Sequence, residues 1–106
     1  MLSTDDHRVA LQLKHRLQQV TPVLAMRVYG SRARGDATQE SDLDVYVELE
    51  RVTPALRDQI SVMAWEVGFD ADCVISTFVV TRNQLERGAM GANPIMREIE
   101  REGVPV

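Results

Sequence analysis

The sequence predicts an α/β or α+β fold: a small mixed β-sheet with helices mainly on one face. Three observations carry this. Apolar residues recur at helical spacing before Gln19 and again from Leu56 onward. Three runs of strand character, residues 23–29, 43–49 and 71–80, lie between and after them. The length, 106 residues, suits one domain (1–106) with a single modest core.

In residues 4–19, Ala10, Leu13, Leu17 and Val20 are spaced by three and four, the mark of an amphipathic helix. Thr4 or Asp5 offers a cap, and Thr21-Pro22 stops the helix. His7 and His15 lie on it with no other ligand type around them, so they read as solvent-facing. Residues 23–29 form the first strand, ended by Gly30, and the polar loop from Ser31 to Ser41 has room for a helical turn at 32–35. In the second strand Leu43, Val45, Val47 and Leu49 alternate with Asp42, Asp44, Tyr46 and Glu48, so one face is apolar and the other begins with two aspartates. Thr53-Pro54 opens a second long helix whose stripe is Leu56, Ile60, Met63 and Val67, with Gly68 as its expected stop. Trp65 lies off that stripe and reads as a partly covered edge residue, with an interface anchor as the alternative. The third strand, residues 71–80, is followed by a short helix or turn. A helix then starts at Asn93-Pro94 and closes at Gly103, and a short apolar end remains.

Composition narrows the function. A formal net charge of −4 and a pI near 5.1 argue against gripping nucleic acid through its phosphates. The single cysteine, Cys73, excludes an internal disulfide and fits a reducing, cytoplasmic setting. No apolar segment is long enough for a membrane span and no leader is expected. A chain of this size has no room for a separate substrate domain, so the rest of a cleft is expected from a homo- or hetero-oligomeric partner.

The chemistry concentrates between Val28 and Leu49. Gly30 permits a sharp turn and close approach of a ligand, and Ser31 adds a hydroxyl to the backbone N–H groups that follow, a cradle for phosphate oxygens. Asp42 and Asp44, two apart on one strand face, are separated by about 7 Å of rise, and their carboxylates can converge on a metal or bridge two. Asp is depleted inside strands, which sets Asp44 apart from ordinary turn chemistry. Glu48 shares the face but lies about 13 Å from Asp44, so it reads as a solvated strand residue. A third carboxylate on the neighbouring strand would complete a two-metal site. Asp72 has the expected parity, and Asp70, one pleat earlier, is its rival. Arg34 reads either as a phosphate contact or as a solvated, locally paired arginine, and Arg32 as exposed; Asp36 and Glu40 read as surface charges.

These residues resemble a known family. Gly30-Ser31, ten intervening residues and Asp42-Leu43-Asp44 are similar to the signature of nucleotidyltransferases of the DNA polymerase beta superfamily. The words G-S-R-A-R-G and S-D-L-D-V-Y-V resemble those of its minimal members. With Asp72 and the closing N-P-I-M-R-E-I-E-R-E-G, the likeness spans nearly the whole chain. It implies that Gly30 and Ser31 hold the triphosphate of ATP, with Arg34 a candidate beside them. It implies that Asp42 and Asp44 bind Mg²⁺, as two ions, and that Asp72 helps ligate metal and activates an acceptor hydroxyl. The implied reaction is in-line attack on the α-phosphorus with release of pyrophosphate. Minimal members commonly accompany a small helical HEPN protein in toxin–antitoxin pairs. The resemblance therefore implies an antitoxin that transfers AMP to a tyrosine of a HEPN toxin. Two other readings stand beside it: an idle nucleotide-binding antitoxin that works by occlusion, and transfer to a small-molecule or RNA hydroxyl.

Overall fold

The computed structural model describes residues 1–106. The elements are α1 (Thr4–Gln18), β1 (Ala25–Tyr29), α2 (Gly30–Arg34), β2 (Leu43–Leu49), α3 (Pro54–Asp70), β3 (Ile75–Thr81), α4 (Arg82–Arg87), a 3-10 turn (Ala89–Ala92), α5 (Pro94–Glu102) and β4 (Val104–Pro105). The sheet is mixed, in the order β3-β2-β1-β4. β2 runs parallel to β3, as a crossover through α3 allows, whereas β1 is antiparallel to both β2 and β4. The closing apolar residues thus become an edge strand.

Alternation in the strands sorts the core onto two faces. On one face, Val9, Ala10, Leu13 and Leu17 of α1 and Ile60, Met63, Ala64 and Val67 of α3 pack on Met26, Val28, Leu43, Val45, Val47 and Leu49. The other face carries a smaller cluster in which Met96 and Ile99 of α5 cover Tyr29, Tyr46 and Val80. Helices therefore dominate the first face, and α5 closes part of the second.

Several local expectations shift for identifiable reasons. Ser3, not Thr4 or Asp5, caps α1, its side chain accepting from the Asp6 N–H at 3.0 Å. Val20 falls beyond the helix and is exposed. The helical turn of the polar loop begins at Gly30, directly on leaving β1.

Gly68 does not end α3, which continues to Asp70. A Cβ at Gly68 would lie 2.6 Å from the Cys73 carbonyl oxygen, so glycine is needed for the close approach of the returning chain. That return is secured by the Cys73 N–H donating to the Gly68 carbonyl at 2.9 Å, with Asp72 left-handed at φ 56°. A left-handed residue just past a helix and a bond back across the last turn are the usual way an α-helix is closed. The third strand consequently starts at Ile75 rather than at residue 71.

Candidate active site

The site is built where β1 runs into α2 beside the start of β2. Gly30 has φ +75°, a conformation that L side chains rarely adopt. A Cβ there would also fall on Oδ2 of Asp44, so the glycine turn and the carboxylate are in direct apposition. Ser31 follows in the first turn of α2, half-buried. Antiparallel register sets Tyr29 opposite Asp44, which explains the meeting of two segments fourteen residues apart at Gly30 and Asp44.

Asp42 is exposed just before β2, and Asp44 is half-buried within the strand. Burial pushes the Asp44 carboxyl above its usual range, with Asp42 and then Glu98 adding to the rise and Arg34 opposing it. The Tyr29 phenol is likewise raised, by burial first and by Asp44 and Glu98 after it. This corner of the sheet holds more negative charge than its own cations neutralise.

The loop presenting Asp42 is fastened by Arg32, which is not the exposed residue its sequence context suggests. Its Nε donates to the Ser41 carbonyl at 2.8 Å and its Nη2 to the Gln39 carbonyl at 3.2 Å. Nη1 pairs with Asp6 of α1 at 2.8 Å, both side chains being largely buried, at 13% and 15% exposure. Ser41 in turn accepts the Thr38 N–H at 3.0 Å. One guanidinium thus ties α1, α2 and the approach to Asp42 together.

Arg34 stands on the other side of α2, exposed, between three carboxylates: Asp36 at 3.3 Å, Glu98 at 3.5 Å and Glu102 at 3.2 Å. Hydrogen bonds to Asp36 and Glu102 raise its affinity for its proton. Glu98 and Tyr29 are members of this corner that sequence reasoning passed over. Nothing in the spacing of α5 distinguishes Glu98 from its other glutamates, and only the packing of α5 across the sheet brings it here. Glu48 is also less solvated than expected: it accepts the Tyr46 hydroxyl at 2.9 Å, and burial followed by this bond pushes the Tyr46 phenol up.

Asp72 does not complete a three-carboxylate set. It is the left-handed residue that closes α3, exposed, and it precedes the strand instead of belonging to it. Register places Ser76 beside Asp44, so the third-strand position next to the pair carries a hydroxyl. Asp70 lies by Arg8, His15 and Arg16 on the α1 side and offers no substitute. No group of three or more His, Cys, Asp or Glu side chains is placed to hold a metal ion. His7 and His15 are exposed, as expected.

Two carboxylates nevertheless fit magnesium, which keeps several waters and takes one or two protein carboxylates together with phosphate oxygens. The excess negative charge around Asp44 suits a divalent cation, and the adjoining Gly30–Ser31 turn suits the phosphates that would fill the remaining positions. The arrangement can therefore hold a nucleotide and its cation side by side.

No curated protein matches this chain. Among solved structures, the fold is similar to that of a chain in the "Crystal structure of the toxin-antitoxin with AMP-PNP", at TM-score 0.61 and 15% identity, over 97% of this chain and 72% of that one. Residues 10–104 match the family model described as the nucleotidyltransferase domain, and the chain belongs to that family.

Proposed function

We propose that the protein is a magnesium-dependent nucleotidyltransferase that moves AMP from ATP to a hydroxyl, that of a tyrosine on a HEPN-type toxin, and so acts as its antitoxin. The observation that carries this reading is the apposition of Asp44 Oδ2 with the Gly30 turn, which puts a phosphate cradle and a carboxylate pair within one ligand's reach. The family match supports nucleotidyl transfer. The similar chain from a toxin–antitoxin structure with AMP-PNP supports an adenine nucleotide and a toxin partner.

Asp42 and Asp44 would hold the cation, while Ser31 and the N–H groups after Gly30 would orient the phosphates. When bound, the cation neutralises charge on the phosphate oxygens as the leaving group departs. Arg34 would reach the phosphates by exchanging one of its three carboxylate partners for them. The tyrosine oxygen forms the new bond to the α-phosphorus, the bond to pyrophosphate breaks, and the phenolic proton leaves to solvent.

Purified protein, α-labelled ATP, Mg²⁺ and the cognate partner provide the test. Label is expected on a partner tyrosine, and the combined substitution Asp42→Asn and Asp44→Asn is expected to lower transfer by at least ~100-fold, the scale on which electrostatic groups at a reacting phosphoryl act. Partner left unlabelled but tightly bound would overturn transfer.

A second reading is favoured by one observation: the position beside Asp44 holds Ser76 rather than a carboxylate. On that reading the protein binds nucleotide and neutralises its partner by occlusion. Inhibition unchanged by the double substitution supports occlusion; inhibition lost with the complex retained supports transfer.

A further inference from the structure

We propose that the open edge of β3, with the outer side of α3 above it, is the interface of a twofold dimer of this chain; the inference does not rest on the function proposed above. β3 is an outer strand of the sheet, bonded to β2 alone. The Leu43 N–H donates to the Val74 carbonyl at 2.8 Å, which fixes the alternation: Val74, Ser76 and Phe78 turn their main-chain groups toward β2. Ile75, Thr77 and Val79 therefore direct theirs outward. The next outward N–H, that of Thr81, is already taken by Oε1 of Gln84 at 2.9 Å.

Natural proteins guard such edges with charges, prolines, bulges or very short strands. β4, the other outer strand, has two residues, one of them Pro105. Residues 75–81, I-S-T-F-V-V-T, contain no charge, proline or glycine. The outward residues are β-branched, the side chains that pair best across strands.

Self-pairing fits this edge. In an antiparallel register centred on Thr77, Thr77 faces Thr77 of the second copy and Ile75 faces its Val79. Every outward donor and acceptor of the three residues then finds a partner.

The helix above the edge agrees. Val62, Trp65 and Phe69 share one side of α3 and are 57%, 66% and 70% exposed, with Val74 beneath them at 64%. Trp65 stacks on Phe69, ring centroids 5.2 Å apart. Alongside runs a groove of about 550 Å³ lined by Trp65, Gly68, Phe69, Cys73, Val74 and Ile75. Val79 packs in the α1–α3 core, so the outward strand residues lie on the α3 face. Twofold pairing of β3 brings the two α3 helices side by side with these aromatic rings between them. The four exposed apolar side chains offer about 500 Å², over half of the ~800 Å² that one partner contributes to a standard interface, and the paired edge supplies more.

Sedimentation and hydrogen exchange test this. The wild-type chain, 11.9 kDa, is expected to sediment at twice its mass at micromolar concentration. The amides of Ile75, Thr77 and Val79 are expected to slow in exchange as concentration rises. Thr77→Pro removes an outward N–H without touching the β2 ladder, and Trp65→Glu charges the centre of the aromatic patch. Each is expected to weaken the dimer by roughly thirtyfold or more, the loss typical of a central anchor. Should Thr77→Pro not fold, Trp65→Glu, on the solvent side of α3, decides alone. Single-chain mass at all concentrations, or a Trp65→Glu dimer as tight as wild type, overturns the proposal. Protection of the three amides only in complex with a different protein also overturns it, and assigns the edge to a foreign strand.

Discussion

Gly30 and Asp44 show how one residue can be constrained twice. Gly30 needs a positive φ to start α2 straight from β1, and it needs a bare Cα because Asp44 Oδ2 occupies the space of a side chain. Asp44 bears the corresponding electrostatic load, with burial, Asp42 and Glu98 all favouring its protonated form. Its folded carboxyl holds a proton more tightly than the unfolded one, so its contribution to stability is present below the ordinary value of 3.8 and is lost as pH rises through the raised value. At neutral pH the ionised group therefore costs stability in the cation-free protein. Asp44→Asn, nearly isosteric and uncharged, is expected to melt at the same temperature or slightly higher at pH 7 in EDTA. The difference should vanish on acidification below the ordinary carboxylate range. A lower melting temperature for Asp44→Asn in EDTA at neutral pH would show that Asp44 is supported by neighbours, not crowded by them.

Among the elements, α5 is the one that covers an otherwise bare sheet face beside the site. Its Asn93 cap and Pro94 start make it form, with the Asn93 side chain accepting from the Ile95 N–H at 3.0 Å. Ile99 and Met96 then seat it on Tyr29 and Tyr46. Ile99 is fully buried, so Ile99→Ala leaves a cavity under the helix and is expected to cost ~2–4 kcal/mol, read as a lower urea midpoint at unchanged slope. A loss below ~1 kcal/mol would mean that α5 is only loosely docked. The ion pairs of Arg34 with Glu98 and Glu102 join α2 to α5 but are exposed, and contribute little beside that packing. Arg32 differs, because its pair with Asp6 is sheltered and its carbonyl bonds hold the loop before β2. α3 presents the reverse case, with one side in the core and the opposite side, at Trp65 and Phe69, without cover.

At the scale of the whole molecule, a radius of gyration of 13.2 Å matches a single compact unit of about 100 residues. No helix is long and apolar enough to cross a membrane. The net charge of −4, concentrated in part around Asp42, Asp44 and Glu98, would make the proposed binding of an anionic nucleotide depend on a cation that offsets it. A ligand that binds only the folded chain raises stability by about 2.7 kcal/mol at a hundred times its dissociation constant. ATP with Mg²⁺ is accordingly expected to raise the melting temperature by several degrees, ATP with EDTA by clearly less, and neither to stabilise the Asp42→Asn, Asp44→Asn protein. An equal shift in Mg²⁺ and in EDTA would remove the carboxylate pair from the binding site.

Local pattern alone determined most of the elements and marked Gly30, Ser31, Asp42 and Asp44 as candidates. Alternation in residues 43–49 set Asp44 on the face opposite Leu43, Val45, Val47 and Leu49, Gly30 announced the turn, and Thr53-Pro54 and Asn93-Pro94 announced two helices, because each depends on neighbours a few positions away. Extending the same alternation back to residue 72 failed: parity holds only inside a strand, and Asp72 sits in the left-handed closure of α3, where the Cys73 N–H bonds back to Gly68 before the chain enters the sheet. Glu98 beside Asp44, the sheltered Arg32–Asp6 pair and the uncovered edge of β3 were decided by packing between segments 26 to 54 residues apart or by strand order. Periodicity carries no information at that range, since it records which side of an element is apolar and not what the other elements bring to it.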